Sequence, residues 1–371
     1  MSDANFDFNS ITCSFIGLGL IGGSIAKALR KAYPEIRLVA YDPDTVSLKQ
    51  ALDEKVISQY ETGLTDALFT CDFLFLCAPV SNNDQMLANI KENIKPGTVI
   101  TDVGSVKQTT HKAISEAGLS HVFIGGHPMA GSEKTGYANS NPLLLENAYY
   151  ILTPTQEVSA DKVTQLQKLV AGIGALPLIL DYNKHDYVTA AVSHLPHIIS
   201  ACLVNLVEKS DDADGLMKMI AAGGFKDITR ISSSSPAMWQ SVCLTNTENI
   251  KKLLDDYISH LQTVQKELSM RSEDELYQLF NSAKEYRDSF AAGSHGPIKK
   301  VYAIHVDIPD IPGSLAQTAT ILALHGLSIK NIGIMHSREF QEGALRIEFY
   351  DEATEKTAIE VLRKSHYTIY E

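Results

Sequence analysis

Short apolar runs separated by helical patterns fill the first half of the chain. Residues 11–16, 37–41, 73–78, 98–102, 122–125, 149–152 and 176–180 are almost continuously apolar, the pattern of strands covered on both faces. Helical spacing between them predicts right-handed βαβ crossovers and a doubly wound α/β domain over 1–180. From about residue 184 the strand signal stops. Val188, Val192, Leu195, Ile199, Leu203 and Leu206 then fall on one stripe at helical spacing. A polar, Gly-bearing interruption follows at 211–215, and a second long helical pattern runs over 236–271. An all-helical domain over 181–290 is predicted, whose long helices offer surface for a homodimer. The stretch 289–297 (SFAAGSHGP) reads as a linker. Beyond it Tyr302, Ile304, Val306 and Ile308 alternate with period two, as in a half-buried strand. A helix at 312–326, strands at 328–336 and 344–350, a helix at 353–364 and a strand at 367–370 complete a β-α-β-β-α-β order, which is ferredoxin-like, over 299–371.

Composition narrows the function. Hydrophobic residues make up 44% and charged residues 20% of 371 positions, ordinary globular usage and enough chain for two to three domains. Lys and Arg number 32 against 44 Asp and Glu, a net charge of −12. Sequence-independent nucleic-acid binding, which runs on clustered cations, is excluded. An anionic ligand would need cations gathered locally. No apolar run reads as reaching the roughly 18 residues of a membrane span, and MSDANFDFNS lacks the basic region and apolar core of a secretory signal. A cytoplasmic protein without a membrane partner is expected. The five cysteines form no CxxC pair and read as reduced core residues, with no metal site implied.

The first strand leads into Gly17-Leu18-Gly19-Leu20-Ile21-Gly22 and then a helix. Glycines there permit a tight turn and close backbone approach, and the helix N-terminus offers free N–H groups to a pyrophosphate. The second strand ends at Asp42, 20 residues after Gly22. A carboxylate at that place accepts hydrogen bonds from a ribose diol and repels a 2′-phosphate, which favours NAD over NADP. Asp42 could also simply form the turn Asp42-Pro43-Asp44. Cys77-Ala78-Pro79-Val80, after a later strand, is placed to line the same cleft.

Two further segments, Thr101-Asp102-Val103-Gly104-Ser105-Val106-Lys107 and Gly125-Gly126-His127-Pro128-Met129-Ala130-Gly131-Ser132-Glu133, follow strands and should meet at the C-terminal edge of the sheet. His127 there can take a proton from an alcohol as its hydride leaves, and Ser105 can bond the same hydroxyl. Taken alone, His127 could equally be a loop histidine. In the helical half, Ser193, His194 and His197 project away from the apolar stripe, where Ala190 and Ala201 leave room for a cleft wall, and Pro196 should bend the helix.

These segments, with Ser193-His194-Leu195-Pro196-His197 and Gly223-Gly224-Phe225-Lys226-Asp227-Ile228-Thr229-Arg230-Ile231, resemble the prephenate/arogenate dehydrogenases over roughly 11–290, in order and spacing. The resemblance implies NAD-dependent oxidative decarboxylation of prephenate to 4-hydroxyphenylpyruvate. His127 matches the family's catalytic histidine and Ser105 the serine on the same hydroxyl. Arg230 matches the arginine that holds a substrate carboxylate, a task suited to a guanidinium fork. Ser193 and His197 match further substrate contacts, and Glu133, Asp227 and Trp239 match residues of the same cleft. Ser132 stands where relatives carry Thr, a change that keeps the hydroxyl. Arg230, His197 and His194 are the local cations the acidic chain requires.

The tail looks like an ACT domain. Its loop Pro312-Gly313-Ser314-Leu315 and the strand segment Asn331-Ile332 then imply a site for an amino-acid effector, L-tyrosine as the pathway end product. Two other readings compete: a dehydrogenase of another small hydroxy acid, which usually places a lysine base on the interdomain helix, and a non-enzymatic amino-acid sensor with a relic nucleotide fold. The second predicts decay of a catalytic set that here stands intact.

Overall fold

Where apolar runs and helical patterns alternate, the chain forms β1 (Thr12–Ile16), α1 (Leu20–Ala32), β2 (Arg37–Tyr41), α2 (Thr45–Asp53), β3 (Gln59–Glu61), α3 (Asp66–Phe69), β4 (Phe73–Leu76), α4 (Asp84–Asn93) and β5 (Val99–Asp102). The structure is a computed structural model that describes residues 6–78, 84–132, 134–292, 302–309, 311–335 and 344–370. Its strands β3-β2-β1-β4-β5 lie parallel in that order. Successive strands run outward from β1 in one direction and then return to its other side. The cleft between β1 and β4 is therefore the switch point at which open α/β sheets bind ligands.

Continuous apolarity has the predicted cause. Phe73 and Phe75 of β4 join one core with Phe15 and Leu29, while Leu74 and Leu76 join a second core with Ile90 and Ile100 on the opposite face. The strand β3 carries no such signal. It is a three-residue polar edge, a form that limits unwanted pairing.

The unit continues through α5 (Gln108–Glu116), β6 (Ile124–Pro128), β7 (Tyr149–Pro154), α6 (Ala160–Gly172) and β8 (Leu176–Ile179). These strands form a second sheet, β6-β7-β8, tied to the first by a parallel bridge from Ile100 to Phe123. β6 and β7 run antiparallel, a departure from uniform βαβ winding. Residues 129–148 supply no crossover helix, only turns and a short 3-10 segment at Tyr137–Asn139, and a parallel neighbour would need a crossover.

The helical part opens with α7 (Tyr182–Thr189), which passes through one π turn at Ala190–His194 into α8 (Leu195–Ser210). Pro196 has no N–H and its ring crowds the carbonyl four residues back. The disturbance takes the form of a wider turn, in which Leu195 N–H bonds the Ala190 carbonyl. His185, Asp186, Thr189, Ala190 and His194 are the enclosed side, whereas Val192 is 63% and Leu206 61% exposed. Residues 182–210 are long and apolar enough to cross a membrane by length and composition, which corrects the expectation that no run reaches that span. The first turns carry the buried His185 and Asp186, bonded to His127, Lys107 and Gln108. Next come α9 (Leu216–Ile220), α10 (Gly223–Thr229), α11 (Pro236–Thr245) and α12 (Thr247–Met270). The single pattern expected over 236–271 is thus two helices, broken at the buried Asn246.

The compact units are Met1–Arg271 and Ser272–Glu371. The second begins with α13 (Glu273–Ala292). Then come β9 (Tyr302–Asp307), α14 (Ser314–Leu324), β10 (Asn331–Met335), β11 (Ala344–Phe349), α15 (Glu352–Lys364) and β12 (Ile369–Tyr370). The sheet β10-β11-β9-β12 is antiparallel. Ile304, Val306, Leu345 and Ile347 pack beneath Leu322 and Leu362, the β-α-β-β-α-β arrangement that the alternation predicts.

Packing between β5 and β6 fixes the site described next. A Cβ on Gly126 would collide with the Asp102 carbonyl oxygen and stand 2.9 Å from Thr101 Oγ1. Backbone cannot yield as a side-chain tip can. Gly126→Ala should therefore cost roughly 1–3 kcal/mol of unfolding free energy, read from the denaturant midpoint. A variant as stable as the parent would show that the strands do not approach this closely.

Candidate active site

Gly17 leaves β1 with φ +98°, and a Cβ there would lie 2.8 Å from the Cys77 carbonyl carbon, so only glycine fits. Gly19 caps α1, and nothing stands within 4 Å of the place its Cβ would take. That empty space lies before the free N–H groups of Leu20, Ile21 and Gly22, the cradle a pyrophosphate requires. Gly22 packs its backbone against the loop, with a Cβ position 2.5 Å from the Gly17 carbonyl oxygen. Ala78 borders the same turn, its N 2.9 Å from the Gly17 Cβ position; Pro79 lies outside the described residues.

Asp42 does two local jobs. Its Oδ2 accepts the Leu18 N–H at 2.6 Å and its Oδ1 the Asp44 N–H at 2.8 Å. It forms the Asp-Pro-Asp turn and also pins the glycine loop. Each oxygen keeps a second lone pair for a ribose hydroxyl, and a carboxylate so held cannot swing aside for a 2′-phosphate. The residues present fit NAD.

The chemical end of the cleft is built on a buried ion pair. Asp102, at the tip of β5, pairs with Lys107, and both are almost wholly buried. Asp102 also accepts N–H bonds from Gly104 at 3.0 Å and Gly126 at 3.1 Å, and Lys107 Nζ donates to the Gly126 carbonyl at 2.7 Å. Burial pulls the lysine pKa down while Asp102 pulls it up. A pair so fully bonded fixes geometry more than it adds net stability. Here it fixes the half-buried loop of Ser105 against the strand of His127.

His127 Nδ1 lies 2.8 Å from His185 Nε2, and His185 Nδ1 lies 2.8 Å from Asp186 Oδ1. Asp186 also accepts the backbone N–H groups of Lys107 and Gln108, each at 2.8 Å, where α5 begins. Burial first, then His185, Lys107 and His194, push the His127 pKa well below the ordinary histidine value. His127 is therefore neutral near pH 7 and able to take a proton.

The histidines of the long helix differ from expectation. His194 is 1% exposed, 3.1 Å through Nδ1 from Asn246 Nδ2, and burial pushes its pKa down to about 4. It is not a cation at neutral pH. The same Asn246 amide donates to the Asp186 carbonyl at 2.8 Å, which is why the helical pattern breaks there. His197 donates from Nδ1 to the Ser193 carbonyl at 2.9 Å and stacks on Trp239 with centroids 3.6 Å apart. Its pKa is lowered by burial and by Arg230, against the Ser193 carbonyl. Of the three local cations expected, His194 and His197 are held toward the neutral form, and Arg230 stands exposed just after α10. Asp227 is exposed on α10, and Ser132 Oγ accepts the Lys134 N–H at 3.1 Å in an exposed turn. Glu133 lies outside the described residues. His185, Asp186 and Asn246 escaped sequence reasoning. The one signal for the first two was a set of polar positions, 185, 186 and 189, within the helical segment that carries the apolar stripe.

In the second unit, Pro312 and Gly313 (φ +97°) lead into α14, whose Leu315 is exposed, while Asn331 and Ile332 open β10. Asn331 Oδ1 accepts the Ile332 N–H at 2.9 Å. A cavity of about 870 Å³ is lined by Asp307, Pro309, Gln317, Ile321 and His366 among others, and Pro312, Gly313, Leu315, Asn331 and Ile332 are not in that lining.

A dinucleotide cradle at the switch point and a neutral histidine on the adjoining sheet together define a nicotinamide-dependent dehydrogenase. Residues 25–178 match the family model for the prephenate dehydrogenase nucleotide-binding domain, and 181–282 match that for the prephenate dehydrogenase dimerization domain. The chain belongs to the prephenate dehydrogenase family. It is 37% identical to the prephenate dehydrogenase of Bacillus subtilis over 97% of this chain and 98% of that one. A crystal structure of A. aeolicus prephenate dehydrogenase in complex with hydroxyphenyl propionate and NAD+ is 29% identical, with a TM-score of 0.71 over 76% of this chain and 98% of that one. Synechocystis arogenate dehydrogenase is 28% identical, with a TM-score of 0.68 over 76% of this chain and 100% of that one.

The buried histidines make stability depend on pH. His111, stacked on Tyr182 and bonded to Thr153 Oγ1, is also pushed down to about 4 by burial. Between the ordinary value of 6.5 and about 4, the unfolded chain binds protons that folded His111 and His194 refuse. Unfolding free energy should fall as pH falls through that window, by at most ~1.4 kcal/mol per pH unit for each residue. Above it these residues contribute no slope. Urea titrations across the window should show a shallower dependence in His194→Asn, and an unchanged slope would contradict the assignment.

Proposed function

We propose that the protein converts prephenate to 4-hydroxyphenylpyruvate in L-tyrosine biosynthesis, in the cytoplasm. The observation that carries this reading is the neutral His127, held at the end of β6 by His185. The relative named prephenate dehydrogenase, similar over nearly the whole chain, supports the same substrate. Gly17, Gly19, Leu20, Ile21, Gly22 and Asp42, with Ala78 and Pro79, hold NAD, which when bound supplies the hydride acceptor.

Arg230 grips a substrate carboxylate through its fork, with Ser193, His197 and Trp239 beside it and Ser132, Glu133 and Asp227 in support. Ser105 bonds the C4 hydroxyl. His127 takes the hydroxyl proton while the C4 hydrogen departs as hydride, and C4 becomes a carbonyl carbon. The bond from C1 to its carboxylate then breaks to release CO2. Its electron pair makes the ring aromatic, and the C4 oxygen recovers the proton from His127. One NADH and one CO2 form per substrate, with no net proton.

The parts divide as an NAD-binding domain (1–180), a helical domain (181–290) and an ACT domain (299–371). A second copy covers the open stripe of α8, where Leu206 is exposed, in the segment that matches the dimerization model. L-Tyrosine inhibits by binding at Pro312, Gly313, Leu315, Asn331 and Ile332, a reading supported by the left-handed Gly313 ahead of α14.

NADH formation should be faster with prephenate than with arogenate, and none with either would overturn the assignment. His127→Asn should abolish turnover while NAD binding, measured by calorimetry, persists; sustained turnover would put the base elsewhere. Asn331→Ala should relieve tyrosine inhibition at unchanged uninhibited kcat. Inhibition equal to the parent's would exclude the tail site.

A further inference from the structure

His127 has two ring nitrogens, and only a bare one can accept the substrate proton. Which one is bare follows from the side chains behind it. Asp186 ends the chain of contacts: ionised, its carboxylate only accepts. It already takes the N–H groups of Lys107 and Gln108, both at the positive end of α5. His185 Nδ1, 2.8 Å from Asp186 Oδ1, must therefore carry a hydrogen. With one hydrogen to each imidazole, His185 Nε2 is bare, and that atom faces His127 Nδ1 at 2.8 Å. His127 Nδ1 must be the donor. Its own Nε2 is left bare, on the side of the ring away from His185.

We propose that His185 and Asp186 are positioning residues of the reaction: Asp186 sets the tautomer of His185, and His185 sets that of His127, with its basic nitrogen at Nε2. Both are fully buried. The proposal rests on His127 being the base. The same carboxylate that orders the relay also anchors the segment after Lys107. Lys107 in turn holds the Gly126 carbonyl one residue before His127. Ring and backbone of the base are thus held from one place.

Three full-length variants test this. His185→Phe removes the acceptor, His185→Gln keeps one, and Asp186→Asn preserves shape but can present an N–H to His185 Nδ1, reversing both tautomers. His185→Phe and Asp186→Asn should lower kcat on the order of a hundred- to ten-thousand-fold at unchanged NAD affinity. His185→Gln should recover most of the rate. Long-range proton–nitrogen spectra of the folded parent, with the His127 ring assigned by its loss in His127→Asn, should show a protonated Nδ1 and a bare Nε2. A protonated Nε2 in the parent would overturn the proposal whether or not the variants fold. So would folded His185→Phe and Asp186→Asn enzymes turning over within threefold of the parent while His127→Asn is inactive. Turnover by His127→Asn would instead remove the base assignment beneath it.

Discussion

Asp186 is a carboxylate with no access to solvent, and most of the catalytic end of the molecule is arranged around satisfying it. Left unpaired, such a group would cost several kcal/mol. It is bonded instead by two backbone N–H groups of the Lys107–Gln108 segment and by His185. Those bonds join α5 of the α/β domain to α7 of the helical domain. Asn246 adds a bond to the Asp186 carbonyl and brings α12 to the same point. The second buried carboxylate, Asp102, does the equivalent work for β5 and β6 through Lys107. Two buried acids and one buried lysine therefore locate the Ser105 loop, the His127 strand and the long helix relative to one another.

Much of this architecture was legible in the chain. Continuous apolar runs at β1, β4 and β5 announced strands covered on both faces, and the glycine spacing announced the cradle before α1. The edge strand β3 was illegible because three half-exposed polar residues carry no period. The antiparallel turn of β7 was hidden because a strand run does not encode direction. Asn246 broke a helical pattern for a tertiary reason, its amide being committed to Asp186 and His194, and local propensity cannot report that.

The site was legible by residue type and less so by state. His127 lies on β6 and Arg230 just after α10, yet the supposed cation His194 is enclosed and neutral. In a chain of net charge −12, Arg230 is exposed while the two histidines expected to share its charge are held toward the neutral form. Neutral histidines suit the chemistry better, since a protonated base cannot accept a proton. Burial, which the helical wheel could not show for residues 185–194, decides that state.

The central claim is that His127 works as a neutral base kept so by its buried surroundings. The pH dependence of kcat/KM reports the ionisation of the free enzyme, so the acid limb of that profile is the direct measure. With prephenate and saturating NAD, the rate should stay level as pH falls through 6.5, the ordinary histidine value, and decline only well below it. An acid limb centred at or above 6.5 would contradict the account.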